Sequence, residues 1–192
     1  FGDEEGRFPT TLTGSRALTG RFDPVWLDER DAQGITRREA LKAFGCDPGR
    51  IVATRPDPNA VLGYIEVHIE QGPVLEAENL PLAAVTAING ASRGSITITG
   101  MSGHAGTVPM AMRQDTLAAS AEMILAVEAC GKATPDLVAT VGRIVVANAA
   151  VNTVAGETTI SLDVRAPADA VRKKAVADIE ATCRAIATRR GV

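Results

Sequence analysis

The sequence is poor in aromatic residues, cysteine and histidine. Of its 192 residues only 3% are aromatic, and it has three cysteines and two histidines. The core must therefore be built from alanine, valine, isoleucine and leucine. The cysteines are far apart and form no CxxC pair, which argues against a cysteine-based zinc site and fits a reduced, cytoplasmic setting. No apolar run approaches the roughly 20 residues of a membrane helix, so we expect no membrane contact.

A strong excess of one charge sign is also missing. Lysine and arginine number 20, aspartate and glutamate number 23, and the net charge is −3. Because no run of basic residues occurs, we expect no nucleic-acid-binding surface. With 45% hydrophobic and 22% charged residues, the composition is that of a globular protein of one or two domains.

Turn residues and periodicity divide the chain near residue 89. Before that point, Thr36 and Glu39 form a capping-box pattern that predicts a helix extending to Phe44. Alternating apolar and polar residues over 64–70 predict a strand with one apolar face, and a second strand is expected over 82–88. The turn dipeptide at 89–90 then predicts a domain boundary.

Beyond residue 90 the predicted elements follow the order β-α-β-β-α. The strands are expected at 95–101, 137–146 and 157–165, and the helices at 110–130 and 168–190. The last helix carries an apolar stripe close to the helical period, formed by Val171, Ala175, Ile179, Cys183 and Ile186. Two helices covering one face of a mostly antiparallel sheet is the packing that we expect, which makes this part an α+β domain.

The two histidines stand in unusual surroundings. His68 lies between Glu66 and Glu70 on the polar face of its predicted strand, where a neutral imidazole can bind a metal while a carboxylate holds its other nitrogen. The alternative is a surface histidine. His104 is flanked by glycines in a loop after a strand, so its ring could donate a hydrogen bond to a developing oxyanion. The alternative for His104 is an exposed loop tip.

Charged residues offer two further candidates. Glu4 and Glu5 are adjacent in a turn, so one carboxylate can ligate a cation while the other takes a proton from water. A solvated acidic turn is the alternative. Arg165 ends a predicted strand on its polar face and can clamp a carboxylate, with Asn152 adding a donor. The alternative for Arg165 is a surface pair with Asp163 of little energetic worth.

Five strings occur in a fixed order along nearly the whole chain. They are DEEGRF at 3–8, GSRALTG at 14–20, HIEQGPVLE at 68–76, GHAGTVPM at 103–110 and the segment 152–165. Together they resemble the family of allantoate amidohydrolases, N-carbamoyl-L-amino acid amidohydrolases and β-ureidopropionases, which belongs to the di-metal aminoacylase and carboxypeptidase-like superfamily. The chain departs from the family at Ala147 and Ala155, where the family usually has proline.

The resemblance implies a two-domain enzyme that forms a homodimer through its lid. Residues 1–89 would be part of an α/β catalytic domain, and residues 90–192 the α+β dimerisation (lid) domain. Two divalent metal ions per active site are implied, with zinc as the first choice and manganese, cobalt or nickel as alternatives. Because some of the family's metal ligands have no counterpart here, we expect a piece of a longer protein that is inactive or poor in metal by itself.

The resemblance also assigns roles in the catalytic domain. Glu4 corresponds to the general base, and Glu5 to a metal ligand. His68 corresponds to a second ligand, and Gln71 to a residue beside the substrate.

In the lid, His104 corresponds to the histidine that reaches the partner subunit's active site and stabilises the tetrahedral intermediate. Asn152 and Arg165 correspond to residues that hold the substrate carboxylate, also across the dimer. The implied reaction is hydrolysis of the ureido C–N bond of allantoate, which releases ammonia and carbon dioxide. An N-carbamoyl-L-amino acid hydrolase or β-ureidopropionase with the same machinery is the alternative. A non-catalytic dimerisation module is the alternative of another class.

Overall fold

The structure is a computed structural model that describes residues 6–192, and the chain divides into two compact units. The first unit ends at Pro73 and the second begins at Val74. The boundary predicted between residues 89 and 90 lies within the second unit and stays a prediction. In the described part of the chain, no helix combines the length and the apolar character needed to cross a membrane.

The first unit is helical. It contains α1 (Thr13–Leu18), α2 (Arg37–Ala43) and three 3₁₀ helices, which are Pro24–Asp28, Pro48–Thr54 and Pro58–Ala60. The predicted capping box is confirmed: Thr36 Oγ1 accepts a hydrogen bond from the Glu39 amide at 3.2 Å. In return the Glu39 carboxylate accepts one from the Thr36 amide at 2.8 Å. Both bonds satisfy amides that the first helical turn leaves unpaired, which is why α2 begins here.

A buried guanidinium organises the first unit. The Arg37 residue is only 6% exposed and donates to Glu29 Oε2 and to Thr13 Oγ1, each at 2.8 Å. It also donates to the backbone carbonyls of Thr10 and Trp26, at 2.8 and 3.2 Å. A buried charge is tolerated only when it is paired and hydrogen-bonded. These contacts therefore tie two separate segments, residues 10–13 and 26–29, to α2.

Trp26, the single tryptophan of the chain, sits in this same unit. It is half-buried, and the ring of Phe22 meets it edge-on with the two ring centroids 5.4 Å apart. The guanidinium carbon of Arg16 lies 4.9 Å from the centroid of the indole. The indole therefore packs between an aromatic edge and a cation, both favourable neighbours for its π-system.

The two strands predicted over 64–70 and 82–88 do not form. In the described residues these segments have no regular secondary structure and no ladder partner, and apolar side chains such as Ile65, Val67, Leu82 and Val85 are exposed. A strand needs a neighbouring strand to satisfy its backbone groups, and the described residues before 90 provide only an isolated bridge between Arg30 and Thr36. The α/β prediction for residues 1–89 is therefore not met by the described part of the chain.

The second unit contains the remaining elements. They are α3 (Val74–Ala77), β1 (Gly90–Thr99), β2 (Gly103–His104), a 3₁₀ helix (Met110–Met112), α4 (Thr116–Ala133), β3 (Val138–Thr140), β4 (Ile144–Val146), β5 (Thr153–Val154), β6 (Glu157–Ala166) and α5 (Asp169–Arg190). Helix α4 begins later than predicted because Asp115 caps it, its carboxylate accepting from the amides of Leu117 and Ala118.

Strand β6 is the centre of an antiparallel sheet. β1 pairs with it along its full length on one side, while β3 and β4 pair with it on the other. The predicted strand 137–146 is split because residues 141–143 form a β-bulge opposite Ser161. There Ser161 Oγ accepts the amides of Gly142 and Arg143 at 3.2 and 2.9 Å. The outer edge of β1 has no partner in the part of the chain that the structure describes.

Helices α4 and α5 cover one face of this sheet, as predicted. The core between them consists of Ile98, Ala119, Met123, Val127, Leu137, Ile160, Val164, Ala166, Ala175, Ile179, Cys183 and Ile186. The stripe predicted for the last helix is confirmed, since four of its five residues are buried and Val171 is half-buried. Beside this core, the fully buried hydroxyls of Thr116 and Thr158 lie 2.8 Å apart. Thr116 Oγ1 also donates to the Ala155 carbonyl at 3.1 Å, and the buried Ser120 hydroxyl donates to the Thr116 carbonyl at 2.7 Å.

Replacing Met123 by alanine should test this core. The Met123 side chain is 2% exposed, so we expect a cavity that lowers the free energy of unfolding by about 2–5 kcal/mol. Leu125→Ala on the same helix is the control, because Leu125 is 64% exposed and its removal should change stability by less than about 0.5 kcal/mol. Urea unfolding followed by far-UV circular dichroism measures both. Equal effects of the two substitutions would contradict this packing.

Candidate functional site

A short ladder places the GHAGT loop against the segment that carries Asn152. β2 and β5 pair antiparallel, with His104 opposite Thr153. Directly after this pair, the Ala105 amide donates to the Asn152 carbonyl at 2.8 Å. The side chains of His104 and Asn152 are both exposed at this end of the second unit. The structure therefore brings two of the predicted lid residues together.

The ring of His104 is held in one orientation by its own loop. The Gly106 amide donates to His104 Nδ1 at 3.0 Å, so Nδ1 is the acceptor nitrogen. In the neutral ring the proton then sits on Nε2, which is left as a donor on an exposed side chain. A Cβ atom on Gly106 would lie 3.1 Å from Cε1 of the imidazole, so glycine permits this close approach.

Arg113 fixes the rest of the loop. Its Nη2 donates to the Ala105 carbonyl at 2.6 Å, and its Nε donates to the Val108 carbonyl at 3.1 Å. Where the chain passes from β5 to β6, a Cβ on Gly156 would lie 2.8 Å from the Ser102 amide nitrogen, so a larger residue would push the two segments apart. Sequence reasoning missed Arg113, because an arginine just after a motif has no distinctive pattern.

Arg165 lies in a cluster of charged groups on the exposed face of the sheet. Its Nε and Nη2 donate to the two carboxylate oxygens of Asp163, both at 2.8 Å. From β1, Arg93 Nε donates to Asp163 Oδ2 at 3.1 Å. The hydrogen bond from Arg165 chiefly, with a further one from Arg93 and against the effect of desolvation, lowers the pKa of Asp163 to about 2. The ion pair with Asp163, the alternative weighed for Arg165, is therefore present.

Arg93 was not predicted as a site residue. Its sequence signal was the alternation along β1, which puts Arg93 on the polar face while Ile96 and Ile98 face the core. The contact with Asp163 follows only from the strand register, which sets Arg93 directly opposite Asp163 on β6. Arg93 and Asp163 are 70 residues apart in the chain, so no local sequence pattern indicates their contact.

Arg165 lies far from the His104 loop within the same chain. Asn152 and His104 adjoin the Glu157 end of β6, whereas Arg165 stands next to its last residue, Ala166. Eight strand residues at about 3.3 Å each separate Glu157 from Arg165 by roughly 26 Å. The structure thus brings His104 and Asn152 together and leaves Arg165 apart from both.

In the first unit, His68 is exposed and its ring is also oriented by the backbone. His68 Nδ1 lies 2.5 Å from the Ile69 carbonyl oxygen, which can only accept, so Nδ1 carries the proton. The lone pair of Nε2 is then free for an electrophile, which is the arrangement of metal-ligating histidines that donate their other N–H to a carbonyl. The orientation of the ring thus leaves Nε2 of His68 available, and its role as a metal ligand stays a prediction.

The other residues predicted for this unit add little to a metal site. Gln71 is exposed and has a φ of 56°, in the left-handed region that is costly for a residue with a Cβ. Glu4 and Glu5 lie outside the described residues. Within 6–192 there is no group of three or more histidine, cysteine, aspartate or glutamate side chains that could hold a metal ion. The convergence of Glu5 with His68 therefore stays a prediction.

Comparison with known proteins identifies relatives along the whole chain. Residues 86–190 match the family profile "Peptidase dimerisation domain". The chain is 38% identical to allantoate deiminase 1 of Glycine max and 39% identical to the N-carbamoyl-L-amino acid amidohydrolase of Geobacillus stearothermophilus. All of this chain is covered, but only 44% and 47% of those proteins. A hydantoinase/carbamoylase family amidase from Burkholderia ambifaria matches with a TM-score of 0.85 and 38% identity, over 98% of this chain and 46% of that one. The chain thus spans less than half the length of these relatives.

The two histidines should carry their protons on different nitrogens. In mildly alkaline buffer, which favours neutral imidazole, we expect Nδ1–H at His68 and Nε2–H at His104. Long-range ¹H–¹⁵N correlation spectra distinguish the two forms. Gly106→Ala should change the His104 spectrum and leave that of His68 as it is, because only His104 contacts residue 106. The same tautomer at both rings would contradict the described geometry.

Proposed function

Since the chain belongs to the family of amidohydrolases that includes the allantoate and N-carbamoyl-L-amino acid hydrolases, we propose that it forms part of an allantoate-hydrolysing enzyme. This enzyme would hydrolyse the ureido C–N bond of allantoate and release ammonia and carbon dioxide. The observation that carries this proposal is the oriented ring of His104, whose Nδ1 accepts from Gly106 and whose Nε2–H is left to donate. An N-carbamoyl-L-amino acid is the second candidate substrate, because relatives of that kind are equally similar in sequence.

His104 would stabilise the oxyanion that forms when water adds to the ureido carbon. A neutral imidazole that donates through Nε2 can do this without changing its own protonation. The loop supplies pre-organisation: the Gly106 amide holds the ring, and Arg113 holds the carbonyls of Ala105 and Val108. Removal of one such donor lowers kcat about 10²–10³-fold in enzymes that use an oxyanion hole.

The catalytic-domain roles rest on the resemblance and on the ring of His68. His68 would hold one of two divalent metal ions through Nε2, with Glu5 as a further ligand and zinc as the first choice of metal. When bound, such ions lower the pKa of water. Glu4 would take a proton from the attacking water and pass it to the leaving nitrogen. Gln71 would lie beside the substrate.

A homodimer formed through the second unit is part of the proposal. The match to a dimerisation domain and the open edge of β1 support it, because the outward-facing backbone groups of this ten-residue strand have no ladder partner among the described residues. Pairing of β1 with its copy would be isologous and would satisfy these groups. A pairing surface formed by α4 and α5 has less support, because Val127, Ile179 and Ile186 lie in the core of the unit itself.

The distance between the two ends of β6 bears on which active site each residue serves. A small ureide is much shorter than the roughly 26 Å between Glu157 and Arg165, so His104 and Arg165 of one chain would not hold the same substrate molecule. We therefore assign His104 and Asn152 to the partner subunit's active site and Arg165 to the site of its own subunit. This differs from the expectation that places Arg165 across the dimer as well.

Ammonia release from allantoate and from N-carbamoyl-L-alanine tests the proposed activity. Both the 192-residue chain and the protein encoded by the whole reading frame should be assayed, with metal content measured in parallel. We expect the chain alone to be inactive and poor in metal, and the protein from the whole frame to prefer allantoate and to lose activity when a chelator removes its metal.

Two other outcomes are informative. A higher kcat/KM for N-carbamoyl amino acids would select the second candidate substrate. Absence of hydrolysis of either ureide, together with a dimer in sedimentation, would leave a non-catalytic dimerisation module as the function.

Mixing inactive variants tests the assignment of residues to subunits. The variants are made in the protein encoded by the whole reading frame. His104→Ala combined with Glu4→Gln should recover about a quarter of wild-type activity, because half of randomly mixed dimers are mixed and each has one complete site of two. His104→Ala combined with Arg165→Gln should recover the same fraction if Arg165 serves its own subunit. No recovery in the second mixture alone would place Arg165 across the dimer after all. Each variant alone, kept at the same protein concentration, is the control.

A further inference from the structure

A depression on the exposed face of the sheet adjoins the Arg165 cluster. It has a volume of about 570 Å³, and its polar lining comes from Arg93, Thr140, Ser161, Asp163 and Arg165, with Gly94 among the backbone positions. It lies on the face opposite α4 and α5, since Ile160 and Val164 on β6 point into the core. It is therefore open to small molecules from solvent rather than enclosed by the fold.

The charges around this depression do not cancel. Two guanidinium groups share one carboxylate, and the low pKa of Asp163 keeps that carboxylate ionised at neutral pH. The charged side chains of the lining therefore sum to a single positive charge. An excess charge of this size matches one carboxylate of a ligand, whereas a doubly charged anion would be left partly uncompensated.

Hydrogen-bond donors also remain on these side chains. Arg93 uses only Nε in its bond with Asp163, and Arg165 uses Nε and Nη2. Within the described part of the chain, three terminal guanidinium nitrogens are thus left to donate elsewhere. Ser161 Oγ already accepts two backbone amides from the bulge, so its own hydroxyl hydrogen is left as a donor as well.

The floor of the depression leaves room for a ligand. An added Cβ at Gly142 would meet only Ser161 Oγ, at 3.9 Å. A planar carboxylate could therefore approach the guanidinium groups without displacing protein atoms. The Arg93 side chain is 67% exposed, so it can move toward a ligand at little cost to the fold.

We propose that Arg93 is a specificity-determining residue, which together with Arg165 binds the carboxylate of a small ureido acid in this depression. The substrate class rests on the proposed function, whereas the binding of a singly charged carboxylate rests on the cluster itself. Asp163 acts as a positioning residue, because it holds both guanidinium groups side by side across β1 and β6. Arg93 enters from the edge strand and supplies the second cation that Arg165 alone lacks.

Titration of the 192-residue chain with N-carbamoylglycine tests the inference directly. The Nε–Hε resonances of Arg93 and Arg165 should shift with saturation, while the neutral N-carbamoylglycinamide should leave them unchanged. Arg93→Gln should weaken binding roughly tenfold, since it removes one charge-assisted contact. Arg184→Gln is the matched control, because Arg184 is an exposed arginine paired with Glu180 on α5, so its loss changes the net charge equally without touching the depression.

Three results of this titration would overturn the inference. They are unchanged affinity in Arg93→Gln, equal binding of the neutral amide, and equal shifts with sodium chloride, which would indicate general attraction of anions. Far-UV circular dichroism of Arg93→Gln checks that the fold is retained, which its exposed position leads us to expect.

Kinetics separate this inference from the proposed function. In the protein encoded by the whole reading frame, Arg93→Gln should raise KM for ureido acids more than it lowers kcat, and Arg184→Gln should change neither. Hydrolysis with an unaltered KM in Arg93→Gln would overturn the role of Arg93 and leave the proposed function standing. Carboxylate binding to the depression without hydrolysis of any ureide would support the binding site and overturn the proposed function.

Discussion

The strand pairing on both sides of β6 fixes the position of every candidate residue in the second unit. One end of the strand continues into β5 and supports the His104 loop, while the other end presents Arg165 and Asp163. The register is strongly specified because Ile160 and Val164 alternate with the polar residues and are fully buried. A slip of one residue would turn Asp163 and Arg165 into the core, at the cost of burying charge.

Much of this unit follows from local patterns in the sequence. The apolar stripe of α5 follows the period of a helix, and the alternation along β6 follows the period of a strand. Each period places the apolar residues on one face, which is the face that is buried. In the first unit, Thr36 and Glu39 predict the start of α2 because a capping box involves only four neighbouring residues. Features that depend on a few adjacent residues are therefore readable from the sequence.

Features that depend on partners elsewhere in the chain are not readable in this way. The alternation over 64–70 is typical of a strand, yet no ladder partner exists for it in the described residues. The bulge at 141–143 splits a predicted strand because register, not composition, decides where Ser161 meets the backbone. Arg93 entered the candidate site only through its pairing with β6. The orientation of His104 similarly depends on a close approach to Gly106.

The place of the single tryptophan has a consequence for spectroscopy. Trp26 packs with Phe22 and Arg16, and the single tyrosine, Tyr64, also precedes Pro73. Intrinsic fluorescence will therefore follow the first unit, while the second unit contributes almost no emission. A denaturation curve recorded only by fluorescence would miss the melting of the sheet and its two long helices. Optical detection of that event requires a reporter introduced on α4, α5 or β6.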